Sequence, residues 1–382
     1  MAPPEEKKKK LSSADHCLNS SAKIGDNQQQ SLGSSFETAF GEKKMENRNL
    51  KRKIWICSDV WMDIFPHFNR PQLGLKLALI SDRFDGLVDA HFDGKSELTI
   101  WRNVKIEKGI GPKPKLLVGV ERAEFPLPER TLPNKIRFHC LRIVYIDHSV
   151  LTFLRSNQHF WDSRGMSLRL LSVPAASYEA DVQPIWDVFA REIWPIFAPN
   201  IRHLLLTVRD HLDNLRRCTS PTILTDLINL NSICSFCLRP DGIADFDGPN
   251  LNAGQALAKW LHTPRTDGQP KRLRFCKDLE EQHNFDWVNS FKEAFLRATT
   301  LAAAYIVQFP LAPTTPIVPF ELVNERTQEK LTLMNVIRIG SVNGWQLKRC
   351  PISEKAALQW EFHILDDLNN LSIYLHNHNQ IG

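Results

Sequence analysis

Residues 167–208, SLRLLSVPAASYEADVQPIWDVFAREIWPIFAPNIRHLLLTV, begin and end with short runs of apolar side chains. The first run covers residues 167–173 and the second covers residues 201–208. Between them, residues 182–197 place apolar side chains at the spacing of an amphipathic helix. Two parallel strands of one sheet need a crossover between them, and a helix usually supplies it. This segment therefore predicts a strand, a helix and a second, parallel strand.

The same alternation continues on both sides of this segment. The β-type runs cover residues 136–146, 167–173, 201–208, 232–238, 271–277 and 303–309, and their starts are 31, 34, 31, 39 and 32 residues apart. Further helical stretches cover residues 221–230, 254–261 and 287–297. We expect residues 93–309 to form an irregular α/β solenoid resembling leucine-rich repeats, although each unit exceeds the ~20–29 residues usual in that class.

Residues 310–382 form a different, β-rich piece in this interpretation. Strands alternate with a polar turn at residues 324–327, another short strand is predicted at 359–364, and 368–375 predict a helix or a strand. We expect this piece to close the open end of the repeat array, because an exposed terminal repeat reduces solubility.

Residues 1–53 contrast with the rest of the chain. They hold eleven Lys or Arg and seven Asp or Glu, whereas the remaining residues hold 37 and 36. Their low apolar content predicts a disordered basic leader, and its lysine clusters resemble nuclear import signals or a solvated charged tail. Since the rest of the chain is nearly neutral, nucleic acid is an unexpected partner for it.

The cysteines and the hydropathy indicate the compartment. Eight cysteines are scattered along the chain, and the charged N-terminus lacks the apolar region of a signal peptide. Long chains with dispersed cysteines are typical of reducing compartments. No stretch reaches the ~20 apolar residues of a membrane span. We expect a protein of the cytoplasm or nucleus that does not bind membranes.

Residues 54–92, IWICSDVWMDIFPHFNRPQLGLKLALISDRFDGLVDAHF, predict three short helices. Ser58 or Asp59 is expected to cap the first helix. Pro71 is expected to open the second, and Ser81 or Asp82 to cap the third. A unit of about 40 residues buries little core alone, so we expect another surface to cover it.

These residues resemble the F-box. The family pattern has a Val-Leu pair, an Ile-Leu or Ile-Phe pair, a Leu-Val-Ser or Leu-Val-Cys segment and a basic–aromatic pair. In this chain those slots hold Val60 and Trp61, Ile64 and Phe65, Leu79 to Ser81, and Arg83 and Phe84. The chain departs from the pattern where Ile56-Cys57 replaces Leu-Pro, where Pro66 interrupts a helix, and where the middle is one residue longer. The segments WLHTPRTDG, WVNSFKEAF and PFELVNE are similar to the F-box families expanded in nematodes.

The resemblance implies a substrate receptor of a Skp–cullin–F-box ubiquitin ligase, which has no catalytic residues, metal or cofactor of its own. The F-box would bind a Skp-type adaptor and, through it, a cullin, while the C-terminal region would bind an unknown protein substrate. The positions that match the family's adaptor contacts are Val60, Ile64, Phe65, Pro71, Leu77, Ile80 and Phe84. The same side chains are also suited to forming a small helical core.

Other residue groups predict ordinary structural roles. Cys234 and Cys237 form a lone CxxC within a predicted strand, which favours two buried thiols over a metal site. Asp210 with His211, His262 and the carboxylates at 280–281 form no recognisable catalytic arrangement and are expected at the surface, as are His376 and His378. The tryptophans of the helical stretches predict helix–sheet core more than a substrate surface; they are Trp186, Trp194, Trp260 and Trp287.

Three alternatives remain beside the ligase interpretation. An interaction scaffold with a degenerate F-box would bind no adaptor. A nuclear protein associated with nucleic acid would use the basic leader as its anchor. A hydrolase or transferase is the weakest alternative, because the sequence contains no assembled site and no glycine-rich phosphate loop.

Overall fold

A computed structural model describes most of the chain from residue 56 onward, as one compact unit. The described residues are 56–94, 99–111, 113–133, 136–162, 165–171, 183–241, 251–275, 286–300, 303–310, 318–336, 344–352 and 369–375. The predicted basic leader, the strand at 359–364, the carboxylates at 280–281, and His376 and His378 lie outside these residues.

Short helices form the first part of the described chain. They are α1 (Ser58–Ile64), a 3-10 turn (Phe65–His67), α2 (Arg70–Gln72), a π-helical turn (Leu73–Leu77) and α3 (Asp82–Asp93). The 3-10 turn contains Pro66, which cannot donate the backbone hydrogen bond that a continuing α-helix needs. Asn69 begins α2 with a capping box, in which the Gln72 backbone N–H donates to Asn69 Oδ1 at 2.8 Å.

Strands follow in two sheets. They are β1 (Thr99–Trp101), β2 (Val104–Lys108), β3 (Pro114–Val118), β4 (Ala123–Pro126), β5 (Ile136–Phe138), β6 (Cys140–Ile143), β7 (Met166–Leu171), β8 (Ile201–Leu206), β9 (Ser232–Ser235), β10 (Lys271–Phe275), β11 (Tyr305–Pro310), β12 (Phe320–Asn324), β13 (Glu329–Val336), β14 (Gly344–Pro351) and β15 (Asn369–Tyr374). The parallel pair β1–β5 is the small sheet. The large sheet has thirteen strands in the order β12-β13-β14-β11-β10-β9-β8-β7-β15-β6-β2-β3-β4.

The middle of the large sheet is parallel and its two ends are antiparallel. Eight neighbouring strands, from β2 through β6, β15 and β7 to β11, run in one direction. Strands β3 and β4 extend one end, and β14, β13 and β12 extend the other. The protein is thus a mixed α/β structure built on one large mixed sheet.

Helices connect the parallel strands. They are α4 (His148–Ser156), α5 (His159–Asp162), α6 (Gln183–Val188), a π-helical turn (Phe189–Ile193), α7 (Trp194–Phe197), a 3-10 turn (Ala198–Asn200), α8 (Asp210–Cys218), α9 (Ile223–Asp226), α10 (Ala253–His262) and α11 (Asp286–Arg297). Helices of neighbouring connections contact each other, α6 with α8 and α9 with α10. No helix among the described residues is both long and apolar enough to cross a membrane.

A row of aliphatic side chains crosses the sheet beneath these helices. Each strand contributes one residue in register with its neighbours, and all six are buried: Leu141, Leu371, Leu168, Leu204, Ile233 and Leu273. The four helical tryptophans that were predicted to form core are buried as well. This apolar row is the type of surface that needs a cover of amphipathic helices.

The structure corrects several expectations about individual elements. The run at 136–146 forms two strands, β5 and β6, in different sheets. Neither Ser58 nor Asp59 caps α1, because Cys57 occupies the N-cap position without a side-chain hydrogen bond. Ser81 does cap α3, where its Oγ accepts from the Phe84 backbone N–H at 3.4 Å.

The C-terminal strands occupy two different places. Strands β12, β13 and β14 extend the sheet beyond β11 and so lie at one end of it. Strand β15, from the segment predicted as a helix or a strand, instead lies between β6 and β7 and is parallel to both. The expectation that the whole C-terminal piece closes the end is therefore wrong for β15.

Candidate protein-docking site

The helical segment 56–94 has an inner side that belongs to the core of the protein. Leu73, Leu75, Val88 and Phe92 are buried in the same apolar cluster as the sheet. The π-helical turn lies so close to the β1–β5 pair that a Cβ added at Gly74 would meet Ile136 Cδ1 at 2.9 Å. Much of this small helical unit is thus covered by the chain's own downstream residues.

The same segment leaves four large apolar side chains exposed to solvent. Val60 on α1 is 43% exposed, and Ile80, which follows the π-helical turn, is 61% exposed. Ile56 and Phe68 are exposed as well. These four side chains make the segment a candidate for docking another protein.

The seven residues that match the family's contact positions fall into three classes. Val60 and Ile80 are exposed, whereas Ile64, Pro71, Leu77 and Phe84 are half-buried. Phe65 is 0% exposed. Its ring lies 6.2 Å from that of Trp61 and 5.5 Å from that of His91. Phe65 therefore belongs to the core and not to the exposed surface.

The pattern of the F-box did not indicate Ile56 or Phe68 as surface residues. Ile56 precedes α1, and Phe68 follows the 3-10 turn with an extended backbone, so neither lies on a helical stripe. Helical periodicity carries no information about such positions. In the sequence, the only signal for an exposed apolar side chain at these two positions is a large apolar residue next to a helix N-cap.

A stripe of carboxylates runs along α3. Asp82, Asp85, Asp89 and Asp93 follow one another at intervals of three or four residues, which places them along one stripe of the helix. Partial burial raises the pKa of Asp85 and Asp89, and neighbouring carboxylates raise both further. Arg130 Nη1 donates to Asp82 Oδ1 at 2.7 Å. One stripe of α3 is thus acidic.

A cavity of about 160 Å³ lies between α8, α9 and α10. Arg216, Lys259, Thr222 and Leu224 are among its lining residues. The Arg216 guanidinium is held by the Pro221 carbonyl oxygen, to which its Nε donates at 3.2 Å, and by Asp213 at 3.6 Å. These contacts fix Arg216 as part of the wall.

The remaining candidate groups have structural positions. Cys234 is buried on β9, but Cys237 lies beyond the strand and is exposed, so the prediction of two buried thiols is wrong for Cys237. His211 and His262 are not surface residues: burial lowers the pKa of each to about 4. Among the described residues, no group of three or more His, Cys, Asp or Glu could hold a metal ion.

Comparisons with known proteins identify no relative of this chain. No family model, no curated protein and no solved structure matches it.

Proposed function

We propose that residues 54–92 form an F-box-like module that binds a Skp-type adaptor and makes the chain a substrate receptor of a Skp–cullin–F-box ubiquitin ligase. The observation that carries this proposal is the exposure of Val60 and Ile80, two matches to the family's contact positions, on a segment whose other side is held by the core. A rigidly supported apolar surface loses little conformational freedom on binding, which favours a stable complex. Such a complex would bury about 800 Å² on each partner.

The rest of the chain supports a binding role in the same proposal. Strands β7 to β11 are neighbours in the order in which they occur along the chain, with helices between them. We infer a leucine-rich-repeat-like array, in which successive units present an extended surface for a protein substrate. The chain itself would supply no catalytic residue, metal or cofactor, and cytoplasm or nucleus would be its site of action.

The test is binding of the full-length Val60→Asp/Ile80→Asp variant to a purified Skp-type adaptor. Two charges placed at the centre of an apolar interface should lower the affinity by on the order of 100-fold or more. Val120→Asp/Ile228→Asp is the matched control, since it makes the same residue changes at positions 88% and 81% exposed elsewhere on the molecule. Thermal unfolding of both variants should stay close to that of the unmodified chain, because all four side chains are exposed.

Equal affinities of the two variants would contradict the proposal, as would an unmodified chain that does not bind the adaptor. A scaffold with a degenerate F-box predicts the second result. Substitution of Phe65 is unsuitable for this test, because an aspartate at this buried position would unfold the segment and abolish binding for an unrelated reason.

A further inference from the structure

The face of the large sheet opposite the aliphatic row carries a second row of side chains, three of which are arginines. Successive residues of a strand point to opposite faces, and residues paired in register share a face. The residue next to each member of the aliphatic row therefore lies in a second row. Its members, in the order of the strands, are Arg142, Ser372, Arg169, Leu205, Cys234 and Arg274.

Negative charge is absent from this part of the described sheet. Strands β6 to β11, β14 and β15 together contain 45 residues, of which eight are Lys or Arg and none is Asp or Glu. Acidic residues make up 43 of the 382 residues of the chain, so 45 residues of average composition would contain about five. Arg349 is paired with Glu329 of the neighbouring strand β13, and no strand of this set supplies a carboxylate for the other seven basic residues.

The three arginines of the second row differ in exposure. Arg142 is exposed, while Arg169 and Arg274 are half-buried beside their register partners Ser372 and Cys234, whose side chains are buried. Arg169 Nη2 donates to the neutral Asn370 Oδ1 at 3.1 Å. The Nε groups of Arg169 and Arg274 are buried without a hydrogen-bond partner, and none of the three arginines forms an ion pair within the described part of the chain.

The spacing of the three arginines fits an extended peptide. Neighbouring strands are about 4.8 Å apart, so the five steps from Arg142 to Arg274 span roughly 24 Å. An extended chain rises about 3.3 Å per residue, and about seven residues cover this distance. The guanidinium fork can accept a carboxylate through two hydrogen bonds.

We propose that this arginine row binds an extended peptide segment rich in Asp and Glu. The charge of the surface and the absence of carboxylates on its strands are complementary to such a segment. That the peptide belongs to a substrate for ubiquitylation rests on the proposed function, but the binding itself does not.

The test uses the full-length chain and the fluorescently labelled peptide EDSEDSED, with QNSQNSQN as the uncharged comparison, in fluorescence anisotropy. Binding should be selective for the acidic peptide and should weaken as salt is added. Arg169→Gln/Arg274→Gln should lower the affinity at least tenfold. Arg191→Gln/Arg297→Gln, which removes the same charge from exposed helical positions, should change it less than twofold.

Arg142→Gln provides a second variant whose exposed position is compatible with folding, and it should lower the affinity two- to fivefold. Unchanged affinity in both the double variant and Arg142→Gln would overturn the proposal. Tighter binding of a twelve-residue oligothymidine than of the acidic peptide, lost in the same variants, would overturn it in favour of nucleic acid. Val60→Asp/Ile80→Asp should retain peptide binding, so failure of the adaptor interaction and failure of this proposal are distinguishable.

Discussion

Three histidines that are buried or half-buried make the stability of the protein depend on pH. Burial lowers the pKa of His203, His211 and His262 to about 4, and the positive charge of Arg169 lowers that of His203 further. An unfolded chain protonates histidine near pH 6.5. Each histidine should therefore reduce the free energy of unfolding as the pH falls from about 6.5 to about 4, by up to ~1.4 kcal/mol per pH unit.

The measurement compares urea unfolding at several pH values between 7 and 5. His262→Gln removes one of the three contributions, so the decrease in stability with falling pH should become about one third smaller. His148→Gln, at an exposed position of α4, serves as the control for the loss of a histidine. A His262→Gln variant with the pH dependence of the unmodified protein would contradict this prediction, because it would show that His262 binds protons equally in the folded and unfolded chains.

Individual residues were predictable only where local pattern determines their environment. The four helical tryptophans were expected in the core because they share the apolar stripes of their helices, and they are buried. His211 and His262 were expected at the surface because polarity was the only signal. Their burial depends on neighbours far apart in sequence, since the ring of His211 lies 5.7 Å from that of Trp186, and the ring of His262 lies 5.3 Å from that of Tyr305.

At the scale of elements, the contact between the helical segment and the β1–β5 pair depends on Gly74. A Cβ at this position would meet Ile136 Cδ1 at 2.9 Å and Trp101 at 3.2 Å, and both side chains are buried. Gly74→Ala should therefore destabilise the protein by about 1–3 kcal/mol, because a packed core yields poorly to an added methyl group.

Gly86→Ala is the matched control on α3, where an added Cβ would meet nothing within 4 Å. Alanine has a higher helix propensity than glycine, so this variant should gain up to about 1 kcal/mol. Thermal unfolding and urea titration of both variants provide the comparison. If Gly74→Ala stabilised the protein as much as Gly86→Ala, the close contact between these elements would be disproved.

Element positions followed from the sequence more reliably than element boundaries. The runs at 167–173, 201–208 and 271–277 match β7, β8 and β10 within a few residues, because buried parallel strands are continuous apolar runs. The predicted N-cap of α1 was wrong, because Cys57 occupies that position instead of Ser58 or Asp59. The three residues adjoin one another, and the sequence does not distinguish which of them precedes the helix. Helix α4 was missed although Asp147 caps it, because its start directly follows β6 and the loop at 144–147.

At the scale of the whole molecule, the position of β15 was not predictable from the sequence. Periodicity places strands relative to their sequence neighbours, and β15 pairs with β6 and β7, more than 190 residues earlier in the chain. Its sequence, NNLSIY, is an ordinary short strand with Leu371 and Ile373 toward the core. Nothing in its composition distinguishes an internal strand from a strand at the end of the sheet.

This topology makes the cooperativity of the protein depend on its last described strand. Without β15, strands β6 and β7 would each lose a partner. The core would lose Leu371, which belongs to the aliphatic row, and Ile373, and both side chains are 0% exposed. Loss of a buried leucine or isoleucine to alanine alone costs about 2–5 kcal/mol, which is comparable to the ~5–15 kcal/mol stability of a domain. A chain that ends at Ile352 should therefore fail to unfold cooperatively, because the sheet is interrupted in its middle.

The comparison chain ends at Leu375 and keeps every described strand. Circular dichroism and tryptophan fluorescence should report one coincident thermal transition for this chain, as for the full-length protein. The chain ending at Ile352 should show a broad or absent transition in both signals. A single transition at an unchanged midpoint in that shorter chain would mean that β6 and β7 can close on each other. In that case β15 would be an addition to a sheet that is complete without it. The parallel strands would then form a continuous series in chain order from β6 to β11.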